Sequence, residues 1–187
     1  PSTDKNLPGI RMASGSLGQG LSCAIGAAET KKLNNDNSTV FTLHGDGELQ
    51  EGQIWEAAMY ASAKKIDNLI ATIDFNGRQI DGDVEDVLSL GNLKQKWEAF
   101  GWLVFEMDGH NIDEIKSTLK TVAHELVHVK QFAKGELSEY HDKWEGVDHS
   151  QTEYHDLPWE IEARTLEHIL YDKYNTHRCQ NLNNIVQ

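Results

Sequence analysis

Cysteine is nearly absent from this chain: Cys23 and Cys179 are the two in 187 residues, far apart and in unlike surroundings. That excludes a disulfide framework and makes a reducing cytoplasm the expected compartment. Positive charge is in short supply as well, with 17 Lys and Arg against 30 Asp and Glu and a formal net charge of -13. No basic block interrupts the acidity, so nucleic acid and anionic membrane surfaces are poor partners, and the charge reads as solubility. There is no apolar run of membrane-spanning length, and the opening residues do not read as a signal peptide. Internal repeats and low-complexity tracts are lacking too. Histidine is missing from most of the first two thirds: only His44 and His110 precede residue 120, and the other seven of nine follow it. The chain therefore reads as two segments, residues 1–119 and 120–187.

What is present in the first segment is a strand-and-turn pattern. An apolar run over residues 40–43 breaks into Gly45-Asp46-Gly47, the pattern of a buried strand ending in a tight turn where the backbone can approach a ligand closely. A second apolar run, residues 69–74, ends at Asn76, thirty residues after Asp46. Ligands of open α/β sheets lie beyond such strand ends. Asp46 and Asn76 side by side there offer hard oxygen ligands suited to Mg²⁺, and Gly47 with the start of the following helix offers backbone donors to a diphosphate. The expected elements are an irregular opening with Pro1, Pro8 and Gly9, a glycine-rich loop over residues 14–20, and a helix over 21–33. Beyond them come strand 40–44, a helix over 51–65, strand 69–74, a helix over 93–100 and strand 102–107. Strands that are almost wholly apolar and alternate with helices predict a three-stranded parallel sheet covered by helices. As a fragment, such a sheet exposes an apolar edge and face, so self-association or a covering partner is expected.

The words around these residues resemble the transketolase family. They are Ser14-Gly-Ser-Leu-Gly-Gln-Gly-Leu21, Gly45-Asp-Gly-Glu-Leu-Gln-Glu-Gly52, Trp55-Glu-Ala57, Asn68-Leu-Ile70, Ile80-Asp-Gly82 and Asp108-Gly-His110. The resemblance covers residues 1–120 and implies a thiamine-diphosphate-binding α/β fold. It implies transfer of a two-carbon ketol unit between sugar phosphates, with the cofactor as electron sink. It adds the carbonyl of Arg78 as a third protein ligand of Mg²⁺ and places Gly15 and Leu17 near the cofactor's aminopyrimidine. It puts Glu51 and Glu56 in a carboxylate network joining two active sites across a dimer. Family members also have a histidine-bearing stretch ahead of the position of Pro1 and a pyrimidine-binding domain, neither of which is in this sequence. Ser16, where many members have proline, is found in the split-subunit type. The expectation is a homo-oligomer or a partner subunit that supplies the pyrimidine-binding domain.

The second segment begins inside an expected helix, residues 112–134. His124 and His128 are four apart and share a helix face, and with Glu125 they make His-Glu-x-x-His. Two imidazoles in this spacing suit Zn²⁺, with Glu125 as general base toward a hydrolytic water. Leu157-Pro-Trp-Glu-Ile-Glu-Ala-Arg164 opens a further helix with Pro158 near its start. It resembles the third-ligand helix of gluzincin-type metallopeptidases, which implies Glu160 as the third zinc ligand and Glu162 as the fallback. His141, His149, His155, His168 and His177 read as surface histidines, Trp144 and Trp159 as a small core, and residues 181–187 as a frayed tail. The whole is expected to be a partial parallel α/β sheet flanked by helices, followed by a mainly helical, zincin-like tail. Three functions follow: a transketolase-type transferase completed by a partner chain, a zinc metallopeptidase with its front half replaced, or an inactive fusion that binds only cofactor or metal.

Overall fold

The computed structural model describes residues 9–138 and 141–183. The expected irregular opening up to Pro8 and the end of the expected tail, residues 184–187, lie outside the described residues, as do the side chains of His177 and Cys179. The chain divides into two compact units, Pro1–Val104 and Phe105–Gln187.

In the first unit, helix α1 (Gln19–Leu33) starts at Gly18, whose φ of 84° is left-handed. Glycine is required there twice over, since a Cβ would also lie 2.8 Å from Gln53 Nε2 and 2.9 Å from Glu51 Cβ. The helix buries Leu21, Ala24, Ile25 and Ala28, a stripe at 3.6-residue spacing whose alanines allow close approach. Lys31 and Lys32 in its last turn complement the negative end of the dipole. Strand β1 (Val40–Gly45) pairs in parallel with β2 (Leu69–Asp74), in register from Val40 opposite Leu69 to Gly45 opposite Asp74. Between them run a 3-10 turn (Gly47–Gln50) and helix α2 (Gly52–Ala63). The apolar stripe of α2, Ile54, Ala57, Ala58 and Ala61, is buried. A two-residue hairpin, β3 (Arg78–Gln79) with β4 (Gly82–Asp83), precedes the short helix α3 (Val84–Leu88) and helix α4 (Leu93–Ala99).

The parallel sheet has two strands, not the expected three. Residues 102–107 form no ladder among the described residues. Within them Trp102 donates its indole N–H to the carbonyl of Ala58 at 3.0 Å and meets the ring of Trp97 edge-on at 4.9 Å, while Leu103, Phe105 and Met107 are exposed. Trp102 and Val104 pack on the core that holds Leu21, Ile54 and Trp97. An apolar run does not by itself make a strand, which needs a neighbour's N–H and C=O groups. Outside this pairing β1 turns Phe41 (68% exposed) and Leu43 (74%) to solvent.

In the second unit, helix α5 (Ile112–Lys134) is capped by the Asn111 side chain, which accepts from the N–H groups of Asp113 and Glu114 at 3.1 and 3.2 Å. Asp113 and Glu114 sit in its positive first turn, and Gly135 (φ 71°) ends it. A hairpin, β5 (Lys143–Trp144) with β6 (Val147–Asp148), turns through Glu145 and Gly146, both at positive φ. Helix α6 (Pro158–Asn183) follows, continuing past the expected start of the tail, and packs along α5. Among the described residues Val127, Leu137, Trp159 and Ala163 are the buried apolar residues of this unit.

Candidate functional site

The first cluster forms where the parallel strands end. Asp46 follows β1 directly, and its backbone N–H donates to the carbonyl of Asp74, the last residue of β2, at 3.1 Å. That bond pins the turn after one strand to the end of the other. The Asp46 carboxylate is 1% exposed. One oxygen accepts the N–H of Gly47 at 2.8 Å and the other the N–H of Gly77 at 2.6 Å. A Cβ on Gly47 would lie 2.6 Å from Gln79 Oε1, so the chain passes this point only as glycine or with Gln79 moved aside.

Asn76 stands beside this carboxylate's partner Gly77 and is exposed. Its Oδ1 accepts from the N–H of Arg78 at 2.9 Å, and its amide donates to Asp74 at 3.1 Å. The Arg78 side chain is exposed, with Nε 3.6 Å from Asp83. Gly15 and Leu17 are exposed in the loop ahead of α1, and the carbonyl of Leu17 accepts from the Gln53 amide at 3.2 Å. Glu51 is exposed in extended conformation just before α2. Glu56 is exposed on α2 and lines a groove of about 360 Å³ with Glu29 and Tyr60.

Sequence reasoning missed Glu48, which ties the glycine-rich loop to the strand end. One of its oxygens accepts the N–H of Gly18 at 2.8 Å, and the other lies 3.1 Å from Nδ1 of the buried His44. The spacing of His44 and Glu48, four apart across a turn, was the available signal.

The second cluster belongs to the second unit. His124 and His128, one turn apart on α5, direct their Nε2 atoms at each other, 3.1 Å apart. Glu160, in the first turn of α6 and 6% exposed, places one oxygen 3.3 Å from His124 Nε2 and the other 3.4 Å from His128 Nε2. Taking one ligand atom from each residue, the three lie within 4.8 Å of one another. The outer ring nitrogens face acceptors. His124 Nδ1 is 2.9 Å from the Glu167 carboxylate and His128 Nδ1 is 2.8 Å from Gln131 Oε1. Glu162 points away from the imidazoles: it pairs with Lys130 and accepts from the Gln131 amide at 3.0 Å. Burial acts to raise the Glu162 pKa, but these donors outweigh it and hold the carboxyl below its usual range. Glu125 is half-buried on α5. Across from it, desolvation and the Glu160 carboxylate push the Tyr154 phenol above its ordinary value. Glu167 and Gln131 were not singled out from the sequence, although seven residues separate Glu160 from Glu167 and His124 from Gln131, two helical turns in each case.

A parallel strand pair with a buried carboxylate between glycine N–H groups at its C-terminal edge has the layout of an open α/β domain, whose ligands lie beyond the strand ends. Comparisons with known proteins make this specific. Residues 2–130 match the family described as transketolase, thiamine diphosphate binding domain. The 6-deoxy-6-sulfo-D-fructose transketolase subunit of a Clostridium species is 50% identical over 112 residues, 60% of this chain and 41% of that one. An apulose-4-phosphate transketolase subunit from Phocaeicola vulgatus is 43% identical over 116 residues, covering 62% and 41% of the two chains. Human transketolase is 37% identical over 142 residues, 72% of this chain and 22% of the human one. A crystal structure of Campylobacter jejuni transketolase superposes with a TM-score of 0.53 at 33% identity, covering 61% of this chain and 20% of that one.

The chain belongs to the transketolase family through its thiamine-diphosphate-binding domain. It spans 41% of the length of the two subunit relatives. Among the described residues no helix is long and apolar enough to cross a membrane.

Proposed function

We propose that the first unit holds the Mg²⁺-diphosphate end of thiamine diphosphate in a transketolase-type transfer of a two-carbon ketol unit between sugar phosphates. The single observation that carries this is the Asp46 carboxylate, buried at the end of a parallel strand pair and fixed by two backbone N–H groups. Each of its oxygens keeps a further lone pair for a cation. Asn76 Oδ1, which already accepts from Arg78, keeps one too, and the Arg78 carbonyl completes a set of hard oxygen donors of the kind that Mg²⁺ prefers. The residues present therefore fit the group. Bound thiamine diphosphate would supply the electron sink. The protein's own part is to neutralise and orient the diphosphate through Asp46, Asn76 and the close-approaching Gly47. Gly15 and Leu17 would face the aminopyrimidine, and Glu51 and Glu56 would join the sites of a dimer.

A partner subunit or a second copy supplies the rest of the active site in this reading. The solvent-facing Phe41 and Leu43 of β1 support it, because a covered sheet face is where such residues belong. The compartment we propose is the cytoplasm. Calorimetric titration of Mg²⁺ and thiamine diphosphate into the full chain and its Asp46→Ala form tests the assignment. Binding that is lost in the variant supports it; equal binding by both overturns it.

A second reading is favoured by a separate observation in the second unit, the triangle of His124, His128 and Glu160. Zinc with four ligands at about 2.0–2.1 Å separates those ligands by about 3.3–3.4 Å, the edge of a tetrahedron. The two Nε2 atoms stand 3.1 Å apart and each is reached by a different oxygen of Glu160, at 3.3 and 3.4 Å, separations of the size of that edge. These residues would hold Zn²⁺, with Glu125 as general base for hydrolysis of a peptide bond. Zinc content of the purified chain, beside that of His128→Ala, tests the site. A casein assay of Glu125→Gln tests the hydrolysis. One zinc per chain that disappears in His128→Ala supports the metal site; zinc-free wild-type protein leaves this segment as an inactive addition to a transketolase fragment.

A further inference from the structure

Resting on the zinc reading just given, we infer that Glu167, and Glu162 acting through Gln131, are positioning residues that fix both zinc-facing imidazoles in one tautomer. The outer ring nitrogens carry the evidence. Glu167 is a carboxylate and can only accept, so His124 Nδ1, 2.9 Å away, carries the proton of that bond. Gln131 presents either an oxygen or an amide group to His128, and its other contacts decide which. Its Nε2 lies 3.0 Å from the carbonyl of Trp159 and 3.0 Å from Glu162 Oε2. Both are acceptors, so the amide nitrogen must face them and Oε1 must face His128. The residue is fully buried, which leaves no water to rescue the flipped amide. Glu162 is itself held by Lys130. His128 Nδ1 therefore carries a proton as well.

With both protons on Nδ1, the neutral rings offer bare Nε2 lone pairs to the same point, and Glu160 adds a carboxylate whose Oε2 is buried without a hydrogen-bond partner. Convergent lone pairs repel one another, so the arrangement suits a cation placed among them. An isolated neutral imidazole has no such constraint on its tautomer. The second helix thus supplies one ligand, Glu160, and two anchors, Glu162 and Glu167. Glu162 contributes to the site without touching the ion.

The test uses the full chain, with zinc as the probe. Nitrogen NMR of the imidazoles in metal-free protein near neutral pH reads the tautomer directly, and chelator competition reads the zinc dissociation constant. The expected result is Nδ1–H for both His124 and His128. Glu167→Ala should weaken zinc binding by about tenfold to a hundredfold, the usual effect of losing such a contact. Glu167→Gln, which keeps an acceptor oxygen, should recover part of it. Glu162→Ala should loosen the His128 tautomer and leave that of His124 intact. Nε2–H tautomers in the wild type, or Glu167→Ala binding zinc as tightly as the wild type, would overturn the inference while leaving the metal site standing. A wild-type chain that binds no zinc would overturn both. Should Glu167→Ala not fold, the wild-type tautomers alone decide.

Discussion

Replacing Asp46 by Asn changes almost no volume and isolates the electrostatics of the strand end. In the metal-free chain both carboxylate oxygens accept backbone N–H groups, at 2.8 and 2.6 Å. Asparagine keeps one oxygen and turns an NH₂ group toward the other donor. One charge-assisted bond is lost, its N–H is left facing a donor, and the surviving bond becomes a neutral one. Charge-assisted bonds contribute roughly 1.5–3 kcal/mol and neutral ones roughly 1. Against this, the variant no longer buries a charge at a site that is 1% exposed, which returns part of the loss. The net expectation is about 2 kcal/mol of destabilisation of the first unit. Hydrogen exchange followed by mass spectrometry separates the two units, as a global unfolding curve does not. Peptides from β1, α2 and β2 that exchange by opening of the whole unit should do so about thirtyfold faster, at about 1.4 kcal/mol per tenfold. Peptides from α5 and α6 should be unchanged. Unaltered or slower exchange in β1 and β2 would refute the reasoning, because the buried charge would then outweigh its two donors.

Gly18→Ala places a side chain at φ 84° and drives its Cβ into Gln53 and Glu51. A left-handed residue costs about 1–2 kcal/mol before any clash, so thermal unfolding of the first unit should occur several degrees lower. Asn111→Ala removes the acceptor of two first-turn N–H groups of α5 and should cost about 1 kcal/mol in urea unfolding. If Zn²⁺ binds as proposed, a free concentration a thousandfold above its dissociation constant stabilises the second unit by about 4 kcal/mol. Glu160→Gln should abolish that rise in melting temperature, whereas Cys23→Ser, at an exposed thiol in the other unit, should leave it untouched.

Much of the molecule is legible in its residue pattern. Asp46 at a strand end follows from an apolar run broken by glycines, because the run favours a strand and the glycines end it there. Likewise, the pairing of His124 with His128 follows from helical period alone. The Asn111 cap, with Asp113 and Glu114 behind it, marks the start of α5 in the sequence. Residues 102–107 misled because apolarity is shared by strands and by chain that joins no ladder, and only the position of a neighbouring strand separates them. Glu48, Gln131 and Glu167 escaped notice because each acts on a residue brought near by packing or by a turn, and spacing alone, four residues from His44 or seven from Glu160 and His124, does not say which way a side chain points.

The sequence by itself determined the family, the parallel strand pair with its terminal Asp46, and the two histidines of α5, since all of these depend on local pattern. Tertiary structure alone decided what the second helix does with its acidic residues. Glu160 and Glu162 are two positions apart, about 200° around a helix of 3.6 residues per turn, so they cannot both face α5 in the same way. The packing of α6 along α5 turns Glu160 toward the two imidazoles, Glu162 toward Lys130 and Gln131, and Glu167 toward the back of His124. Trp159 and Ala163 are buried on that helix, and the phase is a choice made by contacts between segments and not by either segment alone.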